Sequence, residues 1–213
     1  MGLRSSGVVD HSCSGKCKVI FLERYSILAV IIAGISAMVM LTLGRWRKSL
    51  LAYAFQYLAV FWLCSLSLSY AMAGIKLITG VIAAILLAGS SAEGEESTDR
   101  FEQPGWIFRL LAGLLVWVVV FSMEPTVATW IPGDANIRLG GMLLLGMGLL
   151  QLGISSRPGR VMLGLLTALA GFEIIYSAME DSSLVIGLLA MITLGLAFTG
   201  AFLLTSKEME EHP

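Results

Sequence analysis

Glu173 is the residue whose position calls for a chemical explanation. It lies in the stretch from Arg157 to Leu204, two apolar segments joined by a short acidic turn, and it sits well inside the first of them. An ionised carboxylate in hydrocarbon is costly, so it needs a counter-charge, a proton or a water-lined cavity. All three suit proton transfer; the plainer alternative is a carboxyl that only fixes packing. Lys76 is the second such residue, near one end of another apolar run. Either its ammonium snorkels to the headgroups, or it meets a partner inside the membrane. At ~1.5 Å per residue Glu173 stands roughly 20 Å beyond Arg160, and both Glu173 and Lys76 stand about five residues from the same predicted membrane face. If their helices touch, the two form a buried ion pair. Its titrations would be coupled, and it could hold or pass one proton.

The other reactive residue types point to little. Cys13 and Cys17 make a CxxxC, half of a redox or metal motif, but Cys64 stands alone in an apolar run and supplies no second half. They are read as ordinary thiols in a polar terminus. His11 and His212 lie near the chain ends. That excludes haem held between two buried histidines and a histidine-rich metal site in the membrane. No GxSxG, HExxH or phosphate-cradling loop occurs, and the seventh apolar run has no lysine for a retinal Schiff base. Catalysis by this chain alone is not expected, nor is a cofactor or a metal. The net charge of -1 leaves no broad basic surface, so nucleic acid is not an expected partner.

The elements that must position these residues are membrane helices. The chain of 213 residues is 57% apolar and 14% charged, against roughly 25% charge in a soluble domain. Apolar runs recur at about 20 residues, the length that crosses a hydrocarbon core. They are continuously apolar rather than alternating, which favours helices over a barrel. The expected fold class is therefore all-α, a polytopic membrane helix bundle of about seven transmembrane helices. Glycine, at 23 residues, suits close helix approach in lipid.

In order, residues 1–25 are a polar N-terminal segment, and residues 26–89 form a three-helix membrane unit with helices near 26–44, 50–69 and 71–89. Residues 90–105 are an acidic linker, and 106–135 hold a fourth helix, near 106–123, and a loop with Pro125, Trp130 and Pro132. A second three-helix unit spans 136–205, with helices near 137–153, 158–178 and 184–204, and 206–213 is a polar tail. Gly140, Gly141, Gly146 and Gly148 offer a packing face on the fifth helix. Gln56, Thr79, Thr167 and Thr193 could hydrogen-bond across helices or back to their own carbonyls. Arg45, Arg47 and Lys48 mark one basic turn, and Arg157 and Arg160 another. Both turns should be cytoplasmic. One crossing per helix then puts the linker and the C-terminus inside, the N-terminus outside, and Glu124, Asp134, Glu180 and Asp181 on the outer face. Lys16, Lys18 and Arg24 oppose that N-terminal placement. The expected location is a prokaryotic cytoplasmic membrane.

The segment Gly171-Phe172-Glu173-Ile174-Ile175-Tyr176-Ser177-Ala178 resembles the middle helix of the small three-helix K subunit (chain 4L) of respiratory NADH dehydrogenases. That helix carries an intramembrane glutamate. The whole chain is similar in length and helix order to membrane component E of group 4 hydrogenases, which has a lysine in an early helix. In this resemblance residues 136–205 are the K-like unit, and Glu173 and Lys76 take the proton-transfer roles. The chain departs from the pattern in its seventh helix, which has no carboxylate, and in Glu-Ile-Ile where the hydrogenase relatives have Glu-Asn-Gly. The resemblance implies a non-catalytic membrane subunit that passes protons or cations. Its partners would be larger antiporter-like subunits of an ion-translocating oxidoreductase or antiporter assembly. The alternatives are a small secondary transporter and a structural or assembly protein without transport.

Overall fold

The computed structural model describes residues 11–42, 46–90, 105–131, 133–179 and 182–211, with side chains described within 26–206. Every regular element among them is a helix: α1 (His11–Thr42), α2 (Trp46–Ser67), α3 (Tyr70–Gly89), α4 (Trp106–Val127), α5 (Ala135–Ile154), α6 (Pro158–Ser177) and α7 (Ser183–Glu211). Six contain spans long and apolar enough to cross a membrane, and α1 adds a shorter apolar stretch, Ser26–Thr42. The architecture is an all-α bundle of six to seven long apolar helices, consistent with an integral, polytopic membrane protein. Ile75, Ile78, Leu115, Val118, Leu188 and Phe198 are among the many large apolar side chains left on the outside. A protein in water buries such surface; lipid accepts it. Arg45, most of the acidic linker (91–104), Pro132, Glu180 and Asp181, His212, and the side chains of His11, Cys13, Cys17, Lys16, Lys18 and Arg24 lie outside the described residues.

Three helices run further than hydropathy alone indicates. α1 starts at His11 and α7 continues to Glu211, through polar sequence in which backbone hydrogen bonding needs no apolar surroundings. α4 passes Pro125 and ends at Val127, although Glu124 and Pro125 resemble a helix end. Proline lacks an N–H and crowds the preceding turn. The turn is held nonetheless, because the Ala128 N–H donates to the Glu124 carbonyl at 2.8 Å. Beyond it, Arg138 of α5 donates to Glu124 Oε1 at 2.7 Å, to the Ile131 carbonyl at 3.3 Å and to the Gly133 carbonyl. One guanidinium thus closes the α4–α5 loop.

α5 is the helix around which the bundle is built, and its glycines point in three directions. Gly141 meets Gly171 of α6, and Gly148 meets Gly164, so these two helices lie backbone against backbone. Gly140 faces Leu63 of α2 and Val30 of α1, while Gly146 faces Val116 of α4. With little hydrophobic drive between helices in lipid, small residues gain van der Waals contact by letting backbones approach.

The same contacts fix the chain directions. Trp46 of α2 lies against Gly159 of α6, and Cys64 lies 4.0 Å from Ser177, so α2 and α6 are parallel and in register. α1 parallels α5, with Ser26 hydrogen-bonded to Asn136 at 2.6 Å and Gly34 beside Leu143. α4 and α6 run against α5, through Val116–Gly146 and Gly164–Gly148. α7 runs against α6, through Thr193–Glu173 and Gly200–Met162. Direction alternates along the chain. The basic turns after α1 and α5 therefore share one end of the bundle, and the α4–α5 loop lies at the other.

A methyl at Gly171 would stand 2.6 Å from the Gly141 carbonyl oxygen, whereas one at Gly187 would meet nothing within 4 Å. Gly171→Ala is expected to destabilise the detergent-solubilised protein by about 1–3 kcal/mol, the usual cost of overpacking. Gly187→Ala should be neutral or mildly stabilising. Thermal melting of the two variants side by side checks this.

Candidate functional site: a buried lysine–glutamate pair

α3 buries one stripe, with Ala73, Lys76, Thr79, Gly80, Ala83 and Leu87 inward, and turns Ile75, Ile78, Ile82 and Ile85 outward. Lys76 follows this helical spacing into the bundle. On α6 the inward side carries Ala170, Glu173, Ile174 and Ser177, while Phe172 points out. α2 and α7 each pack against both α3 and α6. Those four helices enclose the space into which the two charged side chains project.

Lys76 Nζ lies 3.6 Å from Glu173 Oε2, and the two side chains are 3% and 4% exposed. Lys76 Nζ also donates to the backbone carbonyl of Glu173 at 3.3 Å. The ammonium therefore does not snorkel to a headgroup; it is turned into the protein and held by the glutamate. The pair is about 6 Å from the α6 end and about 9 Å from the α3 start along their axes, at ~1.5 Å per residue. It lies nearer the end of the bundle that carries the α4–α5 loop.

α7 supplies the third group. Thr193 Oγ1 lies 3.1 Å from Glu173 Oε1 and 2.9 Å from the Leu189 carbonyl oxygen. A hydroxyl has one proton and two lone pairs. Beside an ionised Glu173, Thr193 donates to the carboxylate. Beside a protonated Glu173, it can accept the carboxyl proton and donate its own to Leu189. Lys76 likewise keeps the Glu173 carbonyl as an acceptor in either state. The arrangement offers hydrogen bonds to both protonation states of Glu173.

The fourth wall is α2, where Tyr53, Gln56, Tyr57 and Cys64 are 0–1% exposed. The tyrosine rings meet in a tilted arrangement, with centroids 4.9 Å apart and planes 58° apart. Tyr57 sits on Gly80, one turn from Lys76, with no room there for a side chain. Sequence reading missed the tyrosines. The available signal was a tyrosine eleven residues into an apolar helix, well away from the interface where tyrosine usually sits. It also missed Arg138, a basic residue at the end of the bundle opposite the basic turns.

The remaining candidates lie elsewhere. Arg47, Lys48 and Arg157 are exposed at the basic end, and Arg160 is buried there with its carbonyl accepting from Gln151 Nε2 at 3.1 Å. None of the four is brought to the pair, and Arg45 is outside the described residues. Thr79 and Thr167 bond back to Ile75 and Leu163 of their own helices. Among the described residues no three His, Cys, Asp or Glu side chains converge as metal ligands would.

No protein-family profile, no curated protein and no solved structure matches this chain. That finding corrects the oxidoreductase, NADH dehydrogenase-like and hydrogenase-like reading. Membrane helices draw on few residue types, so an eight-residue likeness around one glutamate arises readily without kinship. The absence of a carboxylate from the apolar part of α7, residues 184–204, agrees with the correction.

The pair predicts a large non-additive effect. Lys76→Met would leave a buried carboxylate without its counter-charge and cost about 3–5 kcal/mol. Lys76→Met combined with Glu173→Gln should cost clearly less than the sum of the single changes. Unfolding of the four proteins in mixed micelles measures the coupling. Additive effects would mean that the two side chains do not interact.

Proposed function

We propose that this chain is a proton-translocating membrane protein in which Glu173 takes up and releases the proton, Lys76 supplies the counter-charge and Thr193 serves both protonation states. The observation that carries this reading is the set of alternative hydrogen bonds around Glu173. A carboxyl kept only as packing glue needs partners for one state, whereas this one has partners for two.

A proton suits the site better than a metal cation. An alkali ion needs several oxygen ligands and no competing positive charge. Here the Lys76 ammonium stands 3.6 Å from the carboxylate, where such an ion would have to bind.

One ion pair cannot carry a proton across a whole bilayer. The chain is accordingly proposed to work within an assembly of larger membrane subunits that supply the rest of the path. α4 is suited to such a role or to lipid: it buries only Gly113 and Val120 and leaves Phe108, Leu111, Leu115, Val118 and Phe121 outward. The basic end, with Arg47, Lys48 and Arg157, is assigned to the cytoplasm. That puts the C-terminus inside, the N-terminus outside, and Glu173 nearer the outer face.

Glu173→Gln should lower proton flux per folded molecule in membrane vesicles about a hundredfold, the scale of losing a group that carries the proton, beyond the fall in melting temperature expected from leaving the Lys76 ammonium without its counter-charge. Full flux with glutamine at this position leaves a structural or assembly role. Flux of a solute that survives the change points to a secondary transporter. Orientation is checked separately: single cysteines introduced at Lys48 and Asp134 should label from opposite sides of sealed vesicles, Lys48→Cys from the cytoplasmic side.

A further inference from the structure

α2 carries polar side chains that the pair does not use. Gln56, Tyr57 and Cys64 lie three, four and eleven residues after Tyr53, so all four share one flank of the helix. The Tyr53 and Tyr57 hydroxyls, both amide atoms of Gln56 and the Trp46 indole nitrogen are shut off from solvent. None completes a hydrogen bond of normal geometry among the described residues. Buried polar groups are nearly always hydrogen-bonded, to protein or to ordered water. Five such atoms on one helix form a polar seam within the bundle.

The seam leads from the pair to the basic end. α2 and α6 run parallel with Trp46 against Gly159 and Cys64 near Ser177. In that register Tyr57 stands about one turn below Glu173, and Tyr53 one turn further. Trp46 lies at the basic end beside Arg47 and Lys48.

We propose that Tyr53, Gln56 and Tyr57 hold a file of ordered water that passes protons between Glu173 and the basic end of the bundle. Each hydroxyl accepts a proton on its oxygen and gives up its own to the next water. Only O–H bonds form and break, and no redox partner is needed. Gln56 anchors water with its amide and does not itself relay. Trp46 can only donate, so it orients water at the entrance. This rests on Glu173 being the proton carrier.

The test uses the full chain in membrane vesicles of its native host, with proton flux and melting temperature measured on each variant. Tyr53→Phe, Tyr57→Phe and Gln56→Met keep shape and remove the polar atoms. Flux is expected to fall about tenfold for Tyr57→Phe and further for the three together. Melting temperature should stay level, because the two hydroxyls have no protein partner beyond one another and the Gln56 amide has none among the described residues. If Glu173→Gln blocks flux while the triple variant runs at the parent rate, the α2 path is overturned and the carrier role of Glu173 stands. If Glu173→Gln itself leaves flux intact, the carrier reading falls and takes this path with it. A loss of flux that tracks a loss of melting temperature would make the α2 groups structural and also overturn it.

Discussion

A carboxylate in a membrane interior needs a counter-charge, a proton or water; this one has its counter-charge in place, and much of this bundle can be understood from that requirement. Lys76 and Glu173 belong to helices that are not neighbours in the chain. α2 and α7 both pack on α3 and α6, and this bracket sets the separation that a lysine side chain spans. Gly80 gives up its side chain so that Tyr57 can lie against α3. Thr193 of α7 reaches the second carboxylate oxygen. Moving any of these helices by one turn, about 5.4 Å, would leave a charge unpaired.

That precision needs a rigid support, and the α5–α6 contact supplies it. Gly141 and Gly148 are one heptad apart, and so are their partners Gly171 and Gly164. Two backbone contacts two turns apart fix both the tilt and the register of α6, and hence the depth of Glu173. The glutamate is only two residues from Gly171. Side-chain packing alone would leave α6 freer to slide. At the far end, Arg138 ties α4 to α5 through Glu124 and two loop carbonyls, so α5 is anchored at the end nearest the ion pair.

The helices were legible because lipid imposes a length and a composition on each crossing. Their ends were less so. Hydropathy marks where the hydrocarbon stops, while a helix stops where its backbone bonding stops, and α7 runs on through polar residues to Glu211. The depth of Lys76 and Glu173 could be read from residue counts. Their contact could not, because chain order does not say which helices touch. The glycines of α5 were readable as a packing face, yet they turn out to serve four different helices. Thr193 was one threonine among several, and Tyr53 and Tyr57 were hidden by being counted as apolar. The likeness of the α6 segment to a known glutamate helix is supported by no family or relative match. A single carboxylate among Gly, Phe, Ile and Tyr is what any helix with one inward charge presents.

An inert ion pair and a working one share the same distance and the same burial, so the difference must lie in what happens when the proton arrives. Protonating Glu173 removes the attraction that holds Lys76. In an apolar setting the ammonium would then be stranded, and the pair would resist the change. Here the ammonium retains the Glu173 carbonyl at 3.3 Å, and the carboxyl retains Thr193 backed by Leu189. The surrounding bonds therefore narrow the gap between the two charge states. A small gap is what a group needs if it is to load and unload a proton during turnover, because a state held too deeply cannot be left. The polar flank of α2 bears on the same balance, since Tyr53, Gln56 and Tyr57 are buried there with polar atoms that have yet to find a partner among the described residues.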